Sequence, residues 1–81
     1  MSEFHTTDIG LAAVLLYERY EFIGIIRKKP SAEFVFKESK HLKDTVERYW
    51  VDTLRLPAQS LLHSLKLAKR ILYNQKHDEE L

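Results

Sequence analysis

At 81 residues, with 44% hydrophobic side chains, 31% charged ones and a formal net charge of +1, the chain has room for one core and little beyond it. A chain of this length buries roughly 60 to 65% of the surface that its unfolded form exposes. With no cysteine it has neither a disulfide framework nor a thiolate zinc site, which gives weight to self-association as a way to supplement a thin core.

The start, Met1 to His5, lacks the basic opening and apolar stretch of a signal peptide, and no apolar run reaches the roughly 18 residues of a membrane span. A cytoplasmic protein without a membrane partner is expected. The small net charge hides segregation: residues 1 to 26 carry net −3, residues 27 to 43 net +4 and residues 44 to 52 net −2. From Thr53 to His77 there are five Lys or Arg and no acid, and the chain then closes on Asp78, Glu79 and Glu80.

Ile9 to Arg19 is apolar on so broad an arc that it suits a central core helix, capped by Thr7 or Asp8. From Glu21 the period changes. Phe22 to Ile26 and Phe34 to Phe36 are short β-branched and aromatic runs, separated by Arg27-Lys28-Lys29-Pro30-Ser31, which predicts a β-hairpin with those cations at its tip. The period of two sets Phe34 and Phe36 on the helices and leaves Ile23, Ile25 and Val35 on the other sheet face, open to a partner.

After Ser39 as a cap, Leu42, Val46, Tyr49, Trp50 and Thr53 recur at helical spacing, with Trp50 expected in the core and Tyr49 half-exposed at the stripe's edge. Pro57 then opens a third helix, running to about Tyr73. Its apolar stripe is Ala58, Leu61, Leu62, Leu65, Ala68 and Leu72, widened by Leu67 and Ile71. The opposite stripe is Gln59, His63, Lys66, Arg70 and Tyr73. Residues 75 to 81 lack periodicity and are expected as a disordered acidic tail behind a single domain of residues 1 to 74. The predicted fold class is α+β, in the order α-β-β-α-α, a two-stranded antiparallel hairpin packed on three helices.

Thr7-Asp8-Ile9-Gly10-Leu11-Ala12-Ala13, Phe22-Ile23-Gly24, Phe34-Val35-Phe36 and Trp50 together resemble the pattern of a family of short prokaryotic and phage proteins catalogued as a domain of unknown function. The resemblance covers about residues 6 to 73, and members often carry a glycine after the first helix, where this chain has Arg19-Tyr20. It implies a prokaryotic or phage cytoplasmic setting and transfers no functional residue.

No chemistry-bearing constellation emerges. His5, His41, His63 and His77 are never paired at metal-ligand spacing, and the pairs Glu18/Glu21 and Asp44/Glu47 lie among cations, as on a solvated helix face. Ser31, Ser39, Ser60 and Ser64 stand in no nucleophile motif, and two glycines cannot form a phosphate loop. The expectation is a protein that is not an enzyme, with no cofactor, no metal and no small-molecule substrate.

The basic segments carry the functional expectation. Arg27, Lys28 and Lys29 at the hairpin tip, with Lys66, Lys69 and Arg70 on the third helix and His63 and Tyr73 as stacking groups, suit the phosphates and bases of DNA or RNA. The function expected is a non-enzymatic accessory or regulatory module that contacts nucleic acid or a nucleoprotein complex. The alternative is a protein-protein module, a homodimer or a phage-type inhibitor or adaptor of a larger host protein, docking through Ile23, Ile25, Val35 and Tyr49.

Overall fold

In the computed structural model, which describes residues 2–28 and 31–80, with side chains described as far as Tyr73, the chain runs β1 (Glu3–Thr6), α1 (Ile9–Tyr17), β2 (Phe22–Lys28), β3 (Ser31–Lys37), α2 (Lys40–Trp50) and α3 (Ala58–Glu80). It is a small α+β fold whose antiparallel sheet has three strands in the order β1-β3-β2. The expected two-stranded hairpin is therefore corrected by a strand at the N-terminus. Glu-Phe-His-Thr alternates in the strand sense, with Glu3 and His5 outward and Phe4 and Thr6 inward, yet its one strongly apolar residue gives a sequence pattern little to register. Phe4 pairs with Phe36 and Thr6 with Phe34, so β1 covers what would have been a free edge of the hairpin.

Asp8 caps α1, its carboxylate accepting from the Leu11 N–H at 3.0 Å, while its own N–H donates to Thr6 Oγ1 at 3.1 Å. All five residues from Leu11 to Leu15 are buried, as a helix covered on most sides requires. The core joins Leu11, Ala12 and Leu15 of α1 to Phe34 and Phe36 of β3, Leu42 of α2 and Ala68 of α3. The Phe22 ring packs 5.4 Å from Phe36 and 6.3 Å from Phe34, centroid to centroid.

Where α1 ends, Tyr20 N–H donates to Leu15 O and Arg19 N–H to Leu16 O, both at 3.1 Å, and Arg19 sits in the left-handed region at φ 65°. That is a Schellman closure with arginine at the position glycine favours. The end of α2 repeats it. Thr53 N–H reaches Arg48 O at 3.0 Å, Asp52 N–H reaches Tyr49 O at 3.2 Å, and Asp52 has φ 61°.

A register shift between Phe22 and Gly24 explains one further correction in β2. Phe22 faces Phe36, but past the bulge Gly24 faces Val35 and Ile25 faces Phe34, so Ile25 turns to the helix side and packs on the core. Ile23, the extra residue, is left 49% exposed. Val35 does point to the opposite face, between His5 and Gly24, but it lies in the central strand and is only 2% exposed. The open, partner-ready face expected for Ile23, Ile25 and Val35 is not one surface.

Ser39 caps α2 as expected, accepting from the Leu42 N–H at 3.1 Å. The buried stripe of α2 is Leu42 and Thr45, flanked by Val46 and Tyr49; Thr45 is fixed by a 2.7 Å bond between its Oγ1 and the Tyr20 hydroxyl. Trp50 is not in the core, as the sequence suggested, but 62% exposed. It falls one residue, about 100° of helix, beyond Tyr49 and stacks edge-on against that ring at 5.0 Å.

Candidate functional site

One of the expected basic residues changes character in the folded chain. Arg27 is not at the hairpin tip: it lies inside β2 opposite Ala32, half-buried, and its Nη2 donates to the Leu72 carbonyl of α3 at 2.9 Å. Committing a guanidinium to a backbone carbonyl ties the sheet to α3 and removes Arg27 from the surface that a ligand reaches. Lys28 is exposed, with its Nζ 3.9 Å from Glu33. Lys29 lies outside the described residues.

Helix α3 keeps its cations in solvent. No glycine or proline interrupts residues 58 to 80, and Leu61 N–H closes the first turn on Pro57 O at 3.0 Å. It packs chiefly on α1, which can cover only one stripe of so long a helix, here Leu61, Ser64, Leu65, Ala68 and Leu72. Ser64 is buried in that stripe, whereas Ala58, Leu62 and Leu67, expected in it, are exposed, Leu62 to 57%. Their direction misses α1, and α2 does not flank α3 closely enough to cover them.

Gln59, His63, Lys66, Lys69, Arg70 and Tyr73 are all exposed, Tyr73 to 65%, as the sequence indicated. Among the described residues no ion pair engages Lys66, Lys69 or Arg70. The i, i+4, i+7, i+11 spacing of Leu62, Lys66, Lys69 and Tyr73 forms a single ridge, with His63 and Arg70 on its shoulder.

Beside that shoulder, between the C-terminus of α1 and the first turns of α3, lies an open groove of about 660 Å³. Tyr17 at the end of α1 and Glu18 and Arg19 in the turn that closes it line one side, and Gln59, Ser60 and His63 of α3 the other. Tyr17 and Arg19 carry no functional signal in the sequence, because a turn residue on one helix and a first-turn residue on another have no periodic relation. A second groove, of about 520 Å³, is mostly apolar: Val14, Tyr49, Trp50, Leu54, Leu56 and Leu61 line it, with Asp52 as its one charged group. The Tyr49 hydroxyl donates to Asp8 Oδ1 at 3.2 Å; partial burial, then the Asp8 charge, raise its pKa. A methyl group at Gly10 would stand 2.7 Å from that hydroxyl, so glycine keeps its path to Asp8 open.

The sheet face opposite the helices carries one more cluster. His5 Nδ1 lies 3.0 Å from Glu33 Oε1 and Nε2 lies 3.2 Å from Glu3 Oε1. Only the imidazolium can donate from both ring nitrogens, so the Glu33 bond and then the Glu3 bond raise the His5 pKa, while the His5 bond lowers that of Glu33. The expected solvated carboxylate pair on α2 is consistent with a 3.2 Å ion pair between Asp44 and Arg48. Among the described residues no group of three or more His, Asp or Glu is arranged to hold a metal ion, and no helix is long and apolar enough to cross a membrane. Comparison with family models, with curated proteins and with solved structures found no match.

Proposed function

We propose that the protein is a non-enzymatic accessory or regulatory module that binds nucleic acid, or a nucleoprotein assembly, through the exposed basic face of α3. One observation carries this reading: α3 holds His63, Lys66, Lys69, Arg70 and Tyr73 in solvent, on a segment with no acid from Thr53 to His77. Exposed cations gain affinity by releasing counterions from phosphates, and exposed Tyr and His rings can stack on bases. The hairpin contributes less than its sequence suggests, since Arg27 is committed to Leu72. The test is a gel shift at low salt on DNA and on RNA: the wild type should retard one or both, and Lys66→Glu, Lys69→Glu and Arg70→Glu together should abolish the shift with circular dichroism unchanged.

The exposed Trp50 beside its apolar groove favours a second reading, a protein-protein module. If that groove seals a homodimer, the wild type sediments as a dimer and Trp50→Asp as a monomer. A monomeric wild type counts against a homodimer.

A further inference from the structure

We propose that the ligand is a single strand, with one unstacked base seated in the groove between α1 and α3 and its flanking phosphates on Arg19, Lys66 and Arg70. The inference rests on the nucleic-acid reading and narrows it to a substrate class. The groove and the basic face share His63 and Gln59, so a strand tracking the α3 cations reaches the groove without leaving the surface. At about 660 Å³ and open to solvent it admits one nucleotide, and an unpaired base enters without the unpairing cost that a duplex base must meet.

The lining selects a base over a phosphate. Tyr17 supplies an aromatic ring for stacking, while Gln59, Ser60 and His63 bring hydrogen-bond donors and acceptors to the lining for a base edge. Glu18 is the deciding residue, because its carboxylate repels a phosphate but accepts from the exocyclic amino group of adenine, cytosine or guanine. Arg19, on the rim, then remains for the phosphate. Its backbone is held at φ 65°, where glycine would cost less, so the chain keeps a side chain there against a conformational penalty.

The test is fluorescence anisotropy with short single-stranded DNA and RNA, the matching duplexes and an abasic strand of equal charge. Single strands should bind more tightly than duplex or abasic strands, with the DNA and RNA arms showing which sugar is preferred. Tyr17→Ala should weaken single-strand binding by roughly 5- to 150-fold, the range for loss of one base-aromatic stack, and leave duplex binding unchanged. Since Tyr17 ends a core helix, Gln59→Ala on the exposed face of α3 and Arg19→Gly serve as parallel variants; both should lose single-strand affinity in a folded protein. Equal binding of single, abasic and duplex strands, with Tyr17→Ala and Gln59→Ala neutral, overturns the groove proposal and leaves the basic face standing. Failure of the wild type to bind any of these oligonucleotides overturns both.

Discussion

Arg19 and Asp52 are the two non-glycine residues at positive φ among those described, and each closes a helix by the same pair of backbone bonds. A left-handed residue with a Cβ carries a penalty of roughly 1 to 2 kcal/mol, partly offset in a glycine variant by the looser unfolded chain. Arg19→Gly is therefore expected to stabilise the fold by about 0.5 to 1 kcal/mol, raising the thermal midpoint by several degrees while affinity for single strands falls. A rise in stability together with a loss of binding separates a functional arginine from a merely tolerated one. The His5 cluster makes a prediction in pH. Its folded pKa is raised above the ordinary value, so its contribution is full below that value and is lost as pH rises through the folded pKa. The lowered Glu33 pKa acts at the other end: its contribution is present above the ordinary carboxylate range and is lost on acidification. The melting temperature of the wild type should thus decline from weakly acidic to weakly alkaline pH, and His5→Gln should flatten that decline; identical profiles would show that the cluster is not coupled to folding.

At the scale of the elements, packing decides what periodicity leaves open. Phe36 is fully buried at the meeting of β3 with α1, and Phe36→Ala should cost about 3 to 5 kcal/mol, whereas Trp50→Ala should stay within about 0.5 kcal/mol, measured by urea denaturation. A large loss at Trp50 would place it in the core, where its position in the α2 stripe suggests it belongs. Three helices, the β2–β3 pairing, the Ser39 cap and, as one of two candidates with Thr7, the Asp8 cap were legible from spacing and cap chemistry, because those signals are local. β1 was not, since Glu3 to Thr6 is short and acquires its register only from Phe34 to Lys37, far along the chain. Nor was the β2 bulge, which turned Ile25 inward and exposed Ile23, because nothing in Phe-Ile-Gly-Ile-Ile marks where pairing slips. For α3, the amphipathic stripe was right about Leu61, Leu65, Ala68 and Leu72 and too wide at Leu62 and Leu67, because the width of the covered face depends on the neighbour α1.

Across the whole molecule, the charge segregation seen along the sequence persists on α3, while Arg27 of the hairpin is drawn into the fold. Arg27 becomes the tie between sheet and helix, while Lys66, Lys69 and Arg70 stand exposed on one long helix beside a polar groove. That arrangement was half legible: the cations of α3 declared themselves by the absence of acids, while Arg19 and Tyr17 join them only through the packing of α1 on α3. Binding of nucleic acid by α3 through phosphates would show itself in the salt dependence of affinity. The logarithm of the binding constant for a single strand should fall linearly with the logarithm of salt concentration, and Lys66→Glu, Lys69→Glu and Arg70→Glu should each reduce the slope, by roughly 0.7 for every phosphate no longer neutralised. A wild type without measurable binding at low salt, or with a slope that these substitutions leave unchanged, would contradict it.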